Sequence, residues 1–249
     1  MNTQASNVVV RPPGLAPPVG YGEVNRGRRA NLPSMVMNGP NAVCKNYELI
    51  SSFQTGNAAF QESSVNLNPG ITSVFPWLSS IARNYNKFRF LRLRFFFSGS
   101  CPTSTAGKVW IRLSYDPLDA APTTLAEVMQ SENSCSGPAW FGGTVSNEKA
   151  FDRNLAADAN IYVDADCSRF SLPWYVIRNT DAATRLALTG APTGGIGTLA
   201  LSGSTIDNTS VPCRLSYGNN SVTTSTIPGE LYVAYEVELI EPVASSSTN

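Results

Sequence analysis

Residues 107–131 read GKVWIRLSYDPLDAAPTTLAEVMQS, and the fold follows from them. Val109, Ile111, Leu113 and Tyr115 alternate with Lys108, Trp110, Arg112 and Ser114. A two-residue period puts one set on each face of a strand. Pro117 ends the strand, because it has no N–H to give to a neighbouring strand. Asp116 and Asp119 stand at that end. A short helix is expected next, with Thr124 as N-cap and Glu127 three residues on, the spacing of a capping box.

Two acids on one turn allow two readings. Aspartate in a turn commonly bonds its own backbone. A pair of carboxylates can also hold a hard cation such as Ca2+, which takes six to eight oxygens. Two side chains fill only part of that shell, so the remaining ligands would come from water or another chain.

Working outward, the strand pattern repeats. Residues 41–53 (AVCKNYELISSF from Ala42) form the first strand of the expected folded domain, and residues 54–70 read as a polar loop ending in an NPG turn. In FPWLSSIARNYNKF, Phe75, Leu78, Ile81 and Ala82 have helical spacing, and Pro76 suits a first helical turn. Residues 88–98 place Leu91, Leu93, Phe95 and Phe97 on an expected core face. Phe90, Arg92, Arg94 and Phe96 form the opposite face, a mixture that suits a protein–protein contact and could also serve as a nucleic-acid stacking platform. Strands are expected within 137–145, 160–177, 197–203 and 210–218, and a short helix at 181–188. Asp158, Asp164 and Asp166 read as acids on solvated loops. The clearest strand is GELYVAYEVELIEP, with Leu231, Val233, Tyr235, Val237 and Leu239 on one face and Glu236, Glu238 and Glu241 on or near the other. About eight strands without βαβ alternation suggest an all-β, antiparallel, eight-stranded jelly-roll sandwich with short helices in its connections.

Composition narrows the function. The chain has 249 residues, 42% hydrophobic but only 14% charged, with a formal net charge of zero. Few charges and no net charge suit a surface that is covered by assembly. Histidine is absent. That removes His-based acid–base and nucleophile chemistry and the commonest zinc ligand. Five widely spaced cysteines, without a CxxC, read as free thiols from a reducing compartment. No apolar run reaches transmembrane length, and no signal-peptide core opens the chain. The sequons at Asn208 and Asn219 are expected to be unmodified.

Residues 1–40 differ from the rest. They hold Arg11, Arg26, Arg28 and Arg29 against the single acid Glu23, and proline is frequent. Such a segment cannot bury enough apolar surface to fold alone. It reads as a linker, or as an arm that orders on a partner, with NRGRR meeting phosphates. The domain organisation expected is an arm at 1–40, a jelly-roll domain at 41–243 and a tail at 244–249.

Three segments, NPGITSVFPWLSSIARNYNKFRFLRLRF, GKVWIRLSYDPLDAAPTT and GELYVAYEVELIEP, occur in an order and at separations that carry a resemblance. Over roughly residues 65–243 the chain resembles the shell domain of coat proteins from small icosahedral plant RNA viruses of the sobemovirus and tombusvirus type. The resemblance implies a subunit that packs with many copies of itself into a closed icosahedral shell, found in the virion and assembled in the host cytoplasm. It implies single-stranded genomic RNA as the second partner, met by the arm through Arg11, Arg26, Arg28 and Arg29, and no membrane. It implies Ca2+ at the contact between subunits, with Asp116 and Asp119 at the family's DxxD positions and Asn249 reaching in from a neighbouring subunit. The arm is less basic than the family's usual arm, and no protruding domain is expected after residues 230–241. Two other classes stay open on the residues alone. One is a lectin- or cytokine-like jelly-roll binding module. The other is a carboxylate-pair hydrolase, which needs two acids facing one cleft.

Overall fold

A computed structural model describes residues 33–54, 59–142, 161–179, 208–222 and 227–243. The expected helix at 181–188, the expected strand at 197–203 and Asp158 lie outside these residues.

Among the described residues, ten strands and two short α-helices follow one another. They are β1 (Ser34–Asn38), β2 (Asn41–Ser52), β3 (Ser63–Asn66), α1 (Leu78–Ala82), β4 (Tyr85–Gly99), β5 (Lys108–Ser114), α2 (Leu125–Gln130), β6 (Ser134–Pro138), β7 (Tyr162–Ala165), β8 (Tyr175–Val176), β9 (Arg214–Asn220) and β10 (Gly229–Pro242). One sheet runs β1-β2-β10-β4-β7, with β8 also beside β4; the other runs β3-β9-β5-β6. Every pairing is antiparallel. Because β7 and β8 share one neighbour, they form one interrupted lane. Without β1, the two sheets then hold four lanes each. Successive strands cross between the sheets at almost every connection, which is the jelly-roll path. β1 adds a hairpin to the edge, turning at Gly39 with φ of 60°, and so brings residues 34–40 of the expected arm against the sheet.

The core forms where the sheets face each other. From β10 come Leu231, Val233, Tyr235, Val237 and Leu239, all fully buried, as the alternation predicts. Val109, Ile111 and Leu113 of β5 oppose them from the other sheet. Phe53 joins the layers edge-on, with ring centroids 5.0 Å from Phe97 and 5.3 Å from Tyr217. At the start of β5, Gly107 has φ of 104°, and a Cβ there would lie 2.5 Å from the Ser221 carbonyl oxygen. Only glycine suits such a position.

Strand β4 departs from the simple alternation. Glu236 pairs with Arg92 but Val237 pairs with Phe90, so Leu91 is an extra residue at a β-bulge. The inward parity switches there. Phe88 and Phe90 face the core on one side of the bulge, and Leu93, Phe95 and Phe97 on the other. Leu91, expected inside, is 38% exposed, and Phe90, expected outside, is buried. The even-numbered Phe88 and Phe90 followed by odd-numbered apolar residues carry this switch in the sequence.

Other boundaries also differ. β3 lies in the stretch read as a loop. Its polar side chains suffice because an edge strand needs mainly its backbone to pair with β9. β6 spans 134–138 rather than 137–145, of which 143–145 lie outside the described residues. Its small residues fit a tight site: a Cβ on Gly137 would lie 2.7 Å from Ile161 Cδ1. β9 begins at Arg214 rather than at residue 210. The residues before it form a loop tied to the expected NPG turn. There the buried Asn68 amide donates to Val176 O (2.9 Å) and Ser210 O (2.8 Å), while its oxygen accepts from Gly70 N (3.0 Å) and Arg178 N (3.1 Å). One side chain thus fastens three segments with no polar atom left over.

Helix α1 takes its N-cap from elsewhere in the chain. The Glu48 carboxylate on the core face of β2 accepts from Trp77 N (2.5 Å), Leu78 N (3.2 Å) and the Tyr235 hydroxyl. Burial, then the charge of Glu48, pushes the Tyr235 phenol far above its ordinary range. All five cysteines are free thiols, and burial raises Cys44 to about 11 and Cys135 to about 12.

The bulge makes a direct prediction. Leu93→Ala should lower unfolding free energy by about 2–5 kcal/mol, and Leu91→Ala by less than about 0.5 kcal/mol, measured by denaturant titration. Equal losses at both positions would contradict the parity switch.

Candidate functional site

Arg112, Ser114 and Asp116 share a parity, so β5 and its extension point all three the same way. Asp116 Oδ1 accepts from Leu118 N at 2.9 Å, closing a turn on its own backbone. The Asp116 carbonyl accepts from Asp119 N at 3.1 Å and from the Ser114 hydroxyl at 2.9 Å. This brings the second acid back over the strand. Asp119 Oδ2 then pairs with Arg112 Nη2 and accepts from the Ser114 hydroxyl at 3.2 Å. Arg112 Nη1 donates to Ala120 O at 3.2 Å, and Arg214 Nη1 to Asp119 O at 3.3 Å. The sequence shows both acids and puts Arg112 on the strand face of Lys108, Trp110 and Ser114, but nothing in it connects Arg214. The shared parity marks Arg112, whereas Arg214 arrives only because β9 pairs with β5, opposite Ser114.

The turn-forming reading describes Asp116 in this structure, and the metal reading turns on which oxygens stay open. Asp116 does bond its own backbone. Yet Asp116 Oδ2 and Asp119 Oδ1 carry no hydrogen bond from any described residue. Asp116 is exposed, and the Asp119 side chain is 42% exposed. Two oxygens can therefore face a hard cation, and that donor chemistry fits Ca2+. They remain half a site: no group of three or more acidic, Cys or His side chains among the described residues could hold a metal. Asn249 lies outside the described residues, as do Arg11, Arg26, Arg28 and Arg29.

The loops around this turn are also anchored. The Tyr115 hydroxyl accepts from Asn133 Nδ2 (3.1 Å) and Asp166 N (2.8 Å), and the Arg169 guanidinium lies 4.6 Å from its ring centroid. Arg169 also pairs with Glu132 at 2.5 Å. Helix α2 has Thr124 as its N-cap, as predicted, its hydroxyl accepting from Glu127 N at 3.3 Å. The main return bond lies one residue before that of a capping box: Glu127 accepts from Thr123 N at 2.7 Å.

A second surface lies on the outer side of the β10 sheet. Tyr47, Tyr232 and Phe96 stack with centroids 5.3–5.9 Å apart. Around them Lys45 meets Glu236 (2.8 Å), Arg89 meets Glu238 (2.6 Å), Lys87 meets Glu241 (2.7 Å) and Arg94 meets Asp164 (2.7 Å). The three glutamates and Asp164 are thus cross-strand partners of bases, not a free acidic patch.

The family model for viral coat protein (S domain) matches residues 15–245. The chain belongs to that family. The capsid protein of Tobacco necrosis virus (strain A) is 27% identical over 225 residues, covering 86% of this chain and 71% of that protein. A solved structure titled Tobacco necrosis virus is 30% identical with a TM-score of 0.67, covering 87% of this chain and 90% of that one. Cocksfoot mottle virus, 17% identical, shares the fold with a TM-score of 0.62 over 82% of this chain and 96% of that one.

The coat protein is a structural protein and not an enzyme, and the jelly-roll expectation holds. The lectin- or cytokine-like module and the carboxylate-pair hydrolase are set aside. Among the described residues, no helix is long and apolar enough to cross a membrane.

Hydrogen bonds from Thr123, its backbone N–H foremost, hold the Glu127 carboxyl below its usual 4.5. A depressed folded value means that this contribution is present above the unfolded value and lost as pH falls through the folded one. Glu127→Gln should therefore reduce thermal stability at neutral pH and converge on the parent in strong acid. A constant difference in melting temperature across that acid range would exclude this role.

Proposed function

We propose that the coat protein closes, in many copies, into an icosahedral shell around single-stranded RNA, with calcium shared where subunits meet. The reading rests on one observation above all: two carboxylate oxygens, Asp116 Oδ2 and Asp119 Oδ1, that take no hydrogen bond from any described residue and are presented on a braced turn at the end of a core strand. A lone subunit cannot complete such a shell, whereas an adjacent copy can add oxygens, with Asn249 of a neighbour as the proposed ligand. Bound calcium would supply positive charge that both subunits share. The protein's own work is to fix the turn before assembly, through Ser114, Arg214 and the Asp116 turn. Pre-set ligands lose less entropy when the contact forms. The zero net charge and low charged content suit copies packed side by side in a virion assembled in the host cytoplasm.

The RNA reading rests on the arm. Arg11, Arg26, Arg28 and Arg29 would contact phosphates, a mode that is sensitive to salt and largely blind to sequence. The outer face of the β10 sheet is a weaker nucleic-acid candidate, since Lys45, Lys87, Arg89 and Arg94 each face an acid.

Two results follow. Chelator at mildly alkaline pH should swell or dissociate purified particles, and Asp116→Asn with Asp119→Asn should remove the calcium-dependent part of their melting temperature; identical melting with and without chelator would exclude the site. Deleting residues 1–30 should lower the RNA packaged per particle, read as the ratio of absorbance at 260 and 280 nm, roughly in step with the lost phosphate contacts; unchanged packaging would remove the arm as the main contact.

A further inference from the structure

Arg112 stands in an unusual relation to the proposed calcium ligands. Its side chain is only 13% exposed. Its guanidinium bridges the Asp119 carboxylate and the Ala120 carbonyl, which face it from the turn. Its Nε is buried without a hydrogen-bond partner. The Ser114 hydroxyl and Arg214 hold the same turn from below. A guanidinium held in this way on a core strand lies directly against Asp119. Guanidinium groups also stay charged across the ordinary pH range. Any divalent ion on Asp119 Oδ1 would then share that carboxylate with a fixed positive charge.

We infer that Arg112 is a built-in counter-ion that weakens, and so sets, divalent-cation binding at Asp116 and Asp119. The inference rests on the calcium reading above and adds an opposing residue to it. In the unassembled subunit, Arg112 neutralises Asp119 and keeps the turn folded without metal. In the assembled shell it repels the ion, because like charges close together in partly dry surroundings interact strongly. The site therefore empties at a higher free calcium concentration than two bare carboxylates would permit. A purely structural arginine predicts the reverse: removing it would loosen the turn and weaken binding.

The test is calcium titration calorimetry on assembled, full-length particles, with circular dichroism to check the fold. Arg112→Gln should bind calcium about tenfold more tightly than the parent, a change of about 1.4 kcal/mol. A second comparison guards against misfolding of that variant. Substituting both partners leaves two amides facing each other and no buried charge between them. Asp119→Asn with Arg112→Gln should therefore bind about tenfold more tightly than Asp119→Asn alone. Equal or weaker binding in the folded variants overturns the inference. If the parent binds calcium through Asp116 and Asp119 and Arg112→Gln binds it no better, the calcium reading stands and the inference falls. If only Arg112→Gln binds, the inference stands and the natural particle is not calcium-loaded. No binding in either overturns both.

Discussion

Strand β10 is held on both sides, by β2 and by β4, along nearly its whole length. Its five inward side chains are fully buried. At about 2 kcal/mol for each large apolar side chain, their burial is comparable to the entire net stability of an ordinary domain. The remaining architecture depends on this strand staying in register. The Glu48 cap on α1 is closed by Tyr235 from β10. The bulge at Leu91 is defined by where β10 meets β4. The stacked Tyr47, Phe96 and Tyr232 lie on its other face.

This rigid centre gives the proposed contact turn a fixed base. The acidic turn is set at the end of β5, a core strand with Val109 and Ile111 fully buried. Tyr115, just after β5, ties in the loop at Asp166, and Arg214 crosses from β9. Side chains fixed by packing and by hydrogen bonds present their free oxygens in one geometry. For a protein whose partners are copies of itself, such fixed geometry must be repeated identically at equivalent contacts.

The same elements show how far the sequence could be read. The alternation in β5 and β10 held because both strands run through the middle of a two-layer core, where burial alone fixes which face turns inward. The capping residue Thr124 held because N-capping is local. Strict alternation puts Leu91 inside; the step from Phe88 and Phe90 to Leu93 marks a change of parity, but only the pairing with β10 fixes Leu91 as the extra residue. β3 looks like a loop in the sequence because the pairing of an edge strand with β9 leaves almost no mark on its own side chains. Glu48 passed as an ordinary strand residue, since its partners at Trp77, Leu78 and Tyr235 lie far along the chain.

By itself, the order of residues determined the sandwich of alternating strands and the turn bearing Asp116 and Asp119, because periodicity and proline act over a few neighbours; the coat-protein family shows in the likeness of three whole segments to its members. Tertiary structure alone decided which oxygens of those aspartates remain open, that Arg112 and Arg214 close on them, and that the glutamates of β10 face cations. These outcomes need strands distant in sequence to meet, and side-chain charges act on whatever the folded chain brings within a few ångströms.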